Sequence, residues 1–211
     1  MHNVELVHVT PDAEQLIAYM ARVSNPDNQD NPNCIKLIKY LIKHKHWSPF
    51  EMVNMCVQID TTRSVASQIL RHRSFSFQEF SQRYAQVVNT PSLPNFRRQD
   101  TTNRQNSIDD LNEFTQQEFQ IRTQDLFDQS LALYNEMLAA GVAKECARDV
   151  LPLSTPTKLY MNGTLRSWLH YTDLRCANGT QLEHQLIATG VNGLIRTHFP
   201  LVAEAMWPVT S

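Results

Sequence analysis

The chain has 211 residues, 42% hydrophobic and 19% charged, the balance of a folded globular protein rather than a disordered one. Its formal net charge of -2 provides no global attraction to nucleic acid or an anionic membrane, and no apolar run is long enough to span a bilayer. The opening MHNVELVHVTPD lacks a basic or apolar leader segment, so the expected location is cytoplasmic.

In chain order, Val4, Leu6 and His8 alternate with Glu5, Val7 and Val9, which predicts a first strand. Leu16, Ile17, Met20 and Ala21 then mark one stripe of a helix, and residues 24–34 form a polar loop by their turn chemistry. Leu37, Ile38, Leu41 and Ile42 predict a second amphipathic helix that ends in Lys43-His44-Lys45-His46 before Pro49. Val53, Met55, Val57 and Ile59 alternate, predicting a strand from Phe50 to Ile59, and Arg63 to Leu70 has helical spacing.

Residues 85–105 are loop-like, with Pro91 and Pro94. A long helix is expected from about Asp109 to Ala140, with Gly141 as its C-terminal cap. A shorter one starts near Ala143 and stops by Pro152, and two more are expected over 158–175 and 180–190, with Trp168 and Leu169 in the core. There is no internal repeat or linker. The expected fold is α+β, a single domain over 1–211 with a mainly antiparallel central sheet flanked by helices.

The four cysteines (Cys34, Cys56, Cys146, Cys176) show no CxxC spacing and read as free thiols. The five glycines form neither a GxGxxG fingerprint nor a Walker A loop, so any phosphate must be held by side chains. No metal site is expected, because His44 and His46 lack partners at ligand spacing.

From Thr61 to Arg104 there are seven arginines and no lysine, opposed only by Glu79 and Asp100, a local charge of +5. Guanidinium offers a planar fork of donors that matches phosphate in two-point contact, where lysine offers a point charge. Gln68 and Arg71 share a helix face, and Glu79, Ser81 and Arg83 alternate as in an extended segment. Phe75, Phe77, Phe80 and Tyr84 interleave with the charges, so the segment is expected to pack inward and to need an anionic partner. A solvated basic face, a single-strand nucleic-acid surface and a metal-dependent nucleotide hydrolase are the competing readings.

The stretch Gln68-Ile-Leu-Arg71-His72-Arg73 with Ser81, Arg83 and Tyr84 resembles the RHR-x7-S signature of the flavin-dependent thymidylate synthases (ThyX). His46-Trp-Ser48-Pro49-Phe50-Glu51 resembles the family's H-x-[ST]-P-F-E element, and Ala21-Arg22-Val23-Ser24 its N-terminal flavin contact. Ala147-Arg148 through Pro152 resembles its ARxxLP element, and Leu165-Arg166-Ser167 through Leu174-Arg175 its C-terminal helix. These elements occur in family order along nearly the whole chain.

The resemblance implies conversion of dUMP to dTMP, with methylenetetrahydrofolate giving the methylene group and FAD, reduced by NADPH, giving the hydride. It implies a homotetramer with shared sites. Ser24, His46, Ser48, Arg71, His72, Arg73, Glu79, Thr164, Arg166 and His170 would contact FAD. Gln68, Arg71, Glu79, Ser81, Gln82, Arg83, Arg148 and Arg175 would hold dUMP, with Arg83 and Arg148 on the phosphate and Tyr84 near the folate. Arg175 is the implied catalytic group, a cation that activates uracil without an enzyme nucleophile. Three positions depart from the family. His170 stands where members often carry asparagine, and Gly179 where they carry histidine. Thr164 takes the aligned place of a flavin-binding asparagine, and Asn162 is offset by two residues.

Overall fold

The structure, a computed structural model, describes residues 2–208. Four strands, β1 (Asn3–Val9), β2 (Asn54–Thr62), β3 (Ser76–Glu79) and β6 (Pro156–Thr164), form an antiparallel sheet in the order β1-β2-β6-β3. A two-stranded ribbon, β4 (Arg98–Gln99) with β5 (Ser107–Ile108), stands apart from it. The helices are α1 (Ala13–Ala21), α2 (Ile35–Lys43), α3 (Arg63–Ile69), α4 (Glu113–Ala139), α5 (Lys144–Ala147), α6 (Leu165–Arg175), α7 (Leu182–His198) and α8 (Pro200–Met206). The fold is α+β, with an antiparallel central sheet and flanking helices. None of the helices is long and apolar enough to cross a membrane among the described residues.

Alternation along β6 explains why the sheet has one covered face. Thr157, Leu159, Met161 and Gly163 are buried, whereas Lys158 and Tyr160 are exposed. The inward residues of β2 and β6 join Ile17, Ile38, Val65, Ile69, Leu165, Trp168, Ile187, Val191 and Val202 from the helices in one core cluster. A smaller cluster gathers Val87, Tyr134 and Ala147, and the Tyr134 hydroxyl accepts a 3.0 Å bond from the Val87 amide.

Several expectations are corrected. The stretch 158–175 is not one helix: residues 156–164 are the central strand β6, and α6 begins at Leu165. The period-2 signal of Leu159 and Met161 merges into the helical run of Leu165, Trp168 and Leu169, and only pairing with β2 and β3 separates them. Phe50 lies in a short 3-10 helix (Ser48–Glu51), so β2 starts at Asn54, and α7 extends to His198. Gly141 does take the left-handed conformation that follows α4, at φ 85°.

The sharpest packing constraint falls at Gly163, where a Cβ would overlap the Phe75 ring. Gly163→Ala is therefore expected to cost about 1–3 kcal/mol of stability, the usual penalty for overpacking a filled site. Urea unfolding should show a lower midpoint with an unchanged slope.

Candidate functional site

The site grows from the end of the sheet at Gly163, where α6 leaves β6. Thr164 caps α6, its hydroxyl accepting from the Ser167 amide, and Trp168 pins the helix by donating its indole N–H to the Met55 carbonyl at 2.9 Å. About two turns later, Arg175 projects towards the loop after α3. There its Nε–H donates to His72 Nε2 at 2.9 Å. Because Nε2 is the acceptor, the proton of the neutral imidazole lies on Nδ1.

The His72 ring is wedged edge-on against Tyr171, with centroids 5.0 Å apart, and against Phe75 at 6.5 Å. Burial, with the charge of Arg175 and the proximity of His170, lowers its pKa from 6.5 to about 4. His72 therefore stays a neutral acceptor at physiological pH and can orient Arg175 without competing for a proton. Beside it, His184 is fully buried and its pKa is likewise brought to about 4 by burial, Arg175 and His72.

Both depressed values carry a sign for stability. The unfolded chain protonates these rings near 6.5 and the folded protein only near 4. Their contribution is full above about pH 6.5 and is lost as pH falls towards 4. Denaturant midpoints should thus decline already between pH 6.5 and 5, above the range of about 4 in which ordinary carboxylates titrate.

A second group forms at the same end of the sheet. The Thr164 hydroxyl donates to Glu51 at 2.7 Å, and Arg166 lies 3.5 Å from the other oxygen of Glu51. Arg166 and His170, one turn apart on α6, line a pocket of about 110 Å³ with Trp47 and Asp173. Ser48 opens the 3-10 helix beside Trp47 and is exposed. His46 is exposed too, its ring 5.9 Å from Tyr40 and 6.0 Å from His44. Lys45, between the histidines, adopts φ 57°, a left-handed turn that ends α2.

Glu79 marks a third group at the opposite end of β6. It accepts from Arg63 and, at 2.9 Å, from the Thr157 hydroxyl. Ser81, Gln82 and Arg83 follow in a turn rather than an extended segment. Ser81 and Arg83 are exposed, whereas Gln82 is buried, and its Nε2 has no partner among the described residues. Arg83 pairs with Glu145 at 2.9 Å on the surface, an interaction worth at most about 1 kcal/mol and readily exchanged for an anion. Arg148 sits in the 3-10 helix Arg148–Val150, 3.9 Å from Asp149.

The inward packing expected of the arginine segment is half right. Phe75 is buried and Phe77 half-buried, but Phe80 and Tyr84 are exposed, as are Arg71 and Arg73. The apolar side chains fix the backbone while the guanidinium groups of Arg71 and Arg73 stay in solvent, and the buried guanidinium of Arg97 is offset by its pair with Glu183. Ser24 lies elsewhere, in a cavity of about 470 Å³ lined by Asn25, Asn28, Asn31 and Asn33. Buried Arg22 staples that loop by donating to the Asn31 and Asn33 carbonyls. Gly179 occupies φ 92° in the turn between α6 and α7, a conformation that disfavours the histidine usual in the family.

Sequence reasoning missed Tyr171, His184, Gln181 and the Arg97–Glu183 pair. They reach the site only through contacts across more than 80 residues of chain, such as Gln68 to Gln181 and Arg97 to Glu183. Among the described residues no group of three or more His, Cys, Asp or Glu side chains converges at ligand distance.

An antiparallel α+β fold that displays arginine, amide and hydroxyl groups around a neutral imidazole has the features of a protein built to hold phosphorylated nucleotides. The chain belongs to the family described as thymidylate synthase complementing protein, whose model matches residues 5–201. It is 52% identical over 195 residues to a probable flavin-dependent thymidylate synthase of Paramecium bursaria Chlorella virus 1, covering 92% of this chain and 90% of that protein. It is 53% identical over 193 residues to the flavin-dependent thymidylate synthase of Synechocystis, covering 92% and 89%. Among solved structures, the UMP/dUMP methylase PolB of Streptomyces cacaoi, bound with 5-Br dUMP, superposes with a TM-score of 0.86 at 25% identity, over 97% of this chain and 94% of that one.

Proposed function

We propose that this protein is a flavin-dependent thymidylate synthase that methylates dUMP to dTMP. Methylenetetrahydrofolate is the methylene donor and NADPH the reductant. The observation that carries the reading is the Arg175–His72 pair. A neutral imidazole takes the Nε–H, and the two terminal amino groups of Arg175 make no other hydrogen bond among the described residues. Set against N3 and the adjacent carbonyl of uracil, that preorganised cation favours the ionised, enolate-like base and raises the nucleophilicity of C5. No side-chain nucleophile is needed, and Ser81, exposed in its turn, has no side-chain hydrogen bond to a base among the described residues.

The residues fit FAD. Arg71 and Arg73 are exposed and form no salt bridge among the described residues, which suits a diphosphate. Asn162 Oδ1 is buried without a partner on the same strand face as Thr164, an acceptor suited to a ring N–H. Ser24, His46, Ser48, Thr164, Arg166 and His170 would complete the contacts, with His72 and Glu79 at the borders. FAD, when bound and reduced, supplies the hydride that completes the methyl group.

Gln68, Arg71, Arg175, Glu79, Ser81, Gln82, Arg83 and Arg148 would hold dUMP, but one protomer separates them. At about 3.3 Å per strand residue, Thr157, hydrogen-bonded to Glu79, and Gly163, against the Phe75 ring that neighbours His72, stand roughly 20 Å apart, longer than a mononucleotide. A homotetramer with sites shared between copies resolves this, each copy closing its neighbour's site. Phe114, Ile121 and Leu126 on α4, 78%, 57% and 62% exposed, supply apolar surface for such contacts. The chain then acts as one catalytic domain in the cytoplasm.

An omission series tests the reading. Purified protein should show flavin absorbance and form dTMP only when dUMP, NADPH and methylenetetrahydrofolate are all present. Failure to methylate dUMP at saturating FAD would sink it.

A further inference from the structure

We infer that His184, on α7, is a positioning residue for the nucleotide site, fixing which end of the Gln68 amide faces the pyrimidine. The inference rests on the reading of Gln68 as a dUMP contact. His184 lies outside every motif that led to the site, and its neighbours on the buried stripe of α7 are Ile187, Ala188, Val191 and Ile195. An aliphatic side chain would satisfy that packing. Burying an imidazole there costs desolvation that only its hydrogen bonds offset.

Those bonds form a chain whose direction is set at one end. Glu183 is locked by a two-point pair with Arg97, at 2.7 and 3.0 Å, and as a carboxylate it can only accept. Gln181 therefore turns its Nε2 to Glu183, at 2.8 Å, and its oxygen towards Gln68. Gln68 must donate Nε2 to that oxygen, which leaves Gln68 Oε1 as the acceptor for His184 Nδ1–H at 3.4 Å. His184 Nε2 is then the acceptor of the Tyr171 hydroxyl at 3.1 Å, and burial keeps that phenol protonated.

Every proton in the chain thus has one position. Gln68 is only half-buried, and the remaining N–H and lone pair of its amide are free to meet a ligand with a fixed polarity. Without the Nδ1–H the amide can flip, and the nucleotide would meet two alternating faces instead of one. The edge-on approach of His184 to His72, 6.1 Å between centroids, ties the same histidine to the ring that holds Arg175.

The test is dUMP affinity, titrated on the flavin-loaded protein, for Gln68→Ala, His184→Leu, their double variant, His184→Asn and His184→Gln. Asparagine keeps a donor at the δ position and glutamine does not. Gln68→Ala and His184→Leu should each weaken dUMP binding about tenfold, the worth of one oriented hydrogen bond. The double variant should bind no worse than Gln68→Ala, because the histidine acts through the glutamine. His184→Asn should stay within about threefold of the unaltered protein, whereas His184→Gln should resemble the leucine variant.

Losses that multiply in the double variant, or an asparagine variant as weak as the leucine one, would make His184 a packing residue and overturn the inference. Should His184→Leu not fold, the asparagine and glutamine pair still decides. If Gln68→Ala binds dUMP normally, the reading of Gln68 fails and the inference falls with it.

Discussion

Replacing Arg175 with alanine is expected to lower the rate of dUMP methylation by a factor on the order of 100–1000, the usual loss on deleting a preorganised electrostatic contact. Flavin should remain bound, because Arg71, Arg73, Thr164 and Arg166 lie outside the deletion. The variant also removes the Nε–H that His72 accepts, so His72 loses its partner and the nearest positive charge that disfavours its protonation. The His72 pKa should rise in Arg175→Ala, which NMR of the imidazole can follow. Arg175→Lys should rescue little, since one ammonium cannot both donate to His72 and present a planar pair of donors. Near-normal turnover in Arg175→Ala would remove the cation from the account of uracil activation.

The largest expected loss of stability is at Trp168. Its side chain is fully buried, 4.6 Å from the Phe75 ring and 5.8 Å from Tyr171, and its indole donates to the Met55 carbonyl. Trp168→Ala opens a large cavity and orphans that carbonyl, costing about 3–5 kcal/mol. Against a typical total of about 5–15 kcal/mol this is a severe loss, visible as a reduced urea midpoint. Trp168→Phe keeps most of the volume and should recover the greater part of it. Because the tryptophan fixes α6 to β2 and stacks on the aromatic group around His72, both variants also test whether Arg175 depends on that anchor.

Much of this was legible in the sequence because local pattern and local structure agree. β1, α1, α2 and α3 lie where alternation or helical spacing puts them, and the fold class follows from their order. The central strand was hidden because Leu159 and Met161 offer only two inward apolar positions before the helical stripe of α6 begins. Their strand character comes from pairing with residues about a hundred positions away in β2, which no local pattern records. The arginines of the candidate site were visible by type and spacing, but their exposure was not. Side-chain stems can follow an apolar backbone into the core while their charges remain in water. Tyr171, His184 and Gln181 carry no motif at all, and only the docking of α7 on α6 and α3 brings them beside Gln68 and His72.

The most direct measurement is a single anaerobic turnover of protein whose flavin has first been reduced, mixed with dUMP and methylenetetrahydrofolate. If the hydride comes from the flavin, one dTMP forms for each flavin oxidised and the folate leaves as tetrahydrofolate. Formation of dTMP with the flavin still reduced, and with dihydrofolate as the product, would contradict the account.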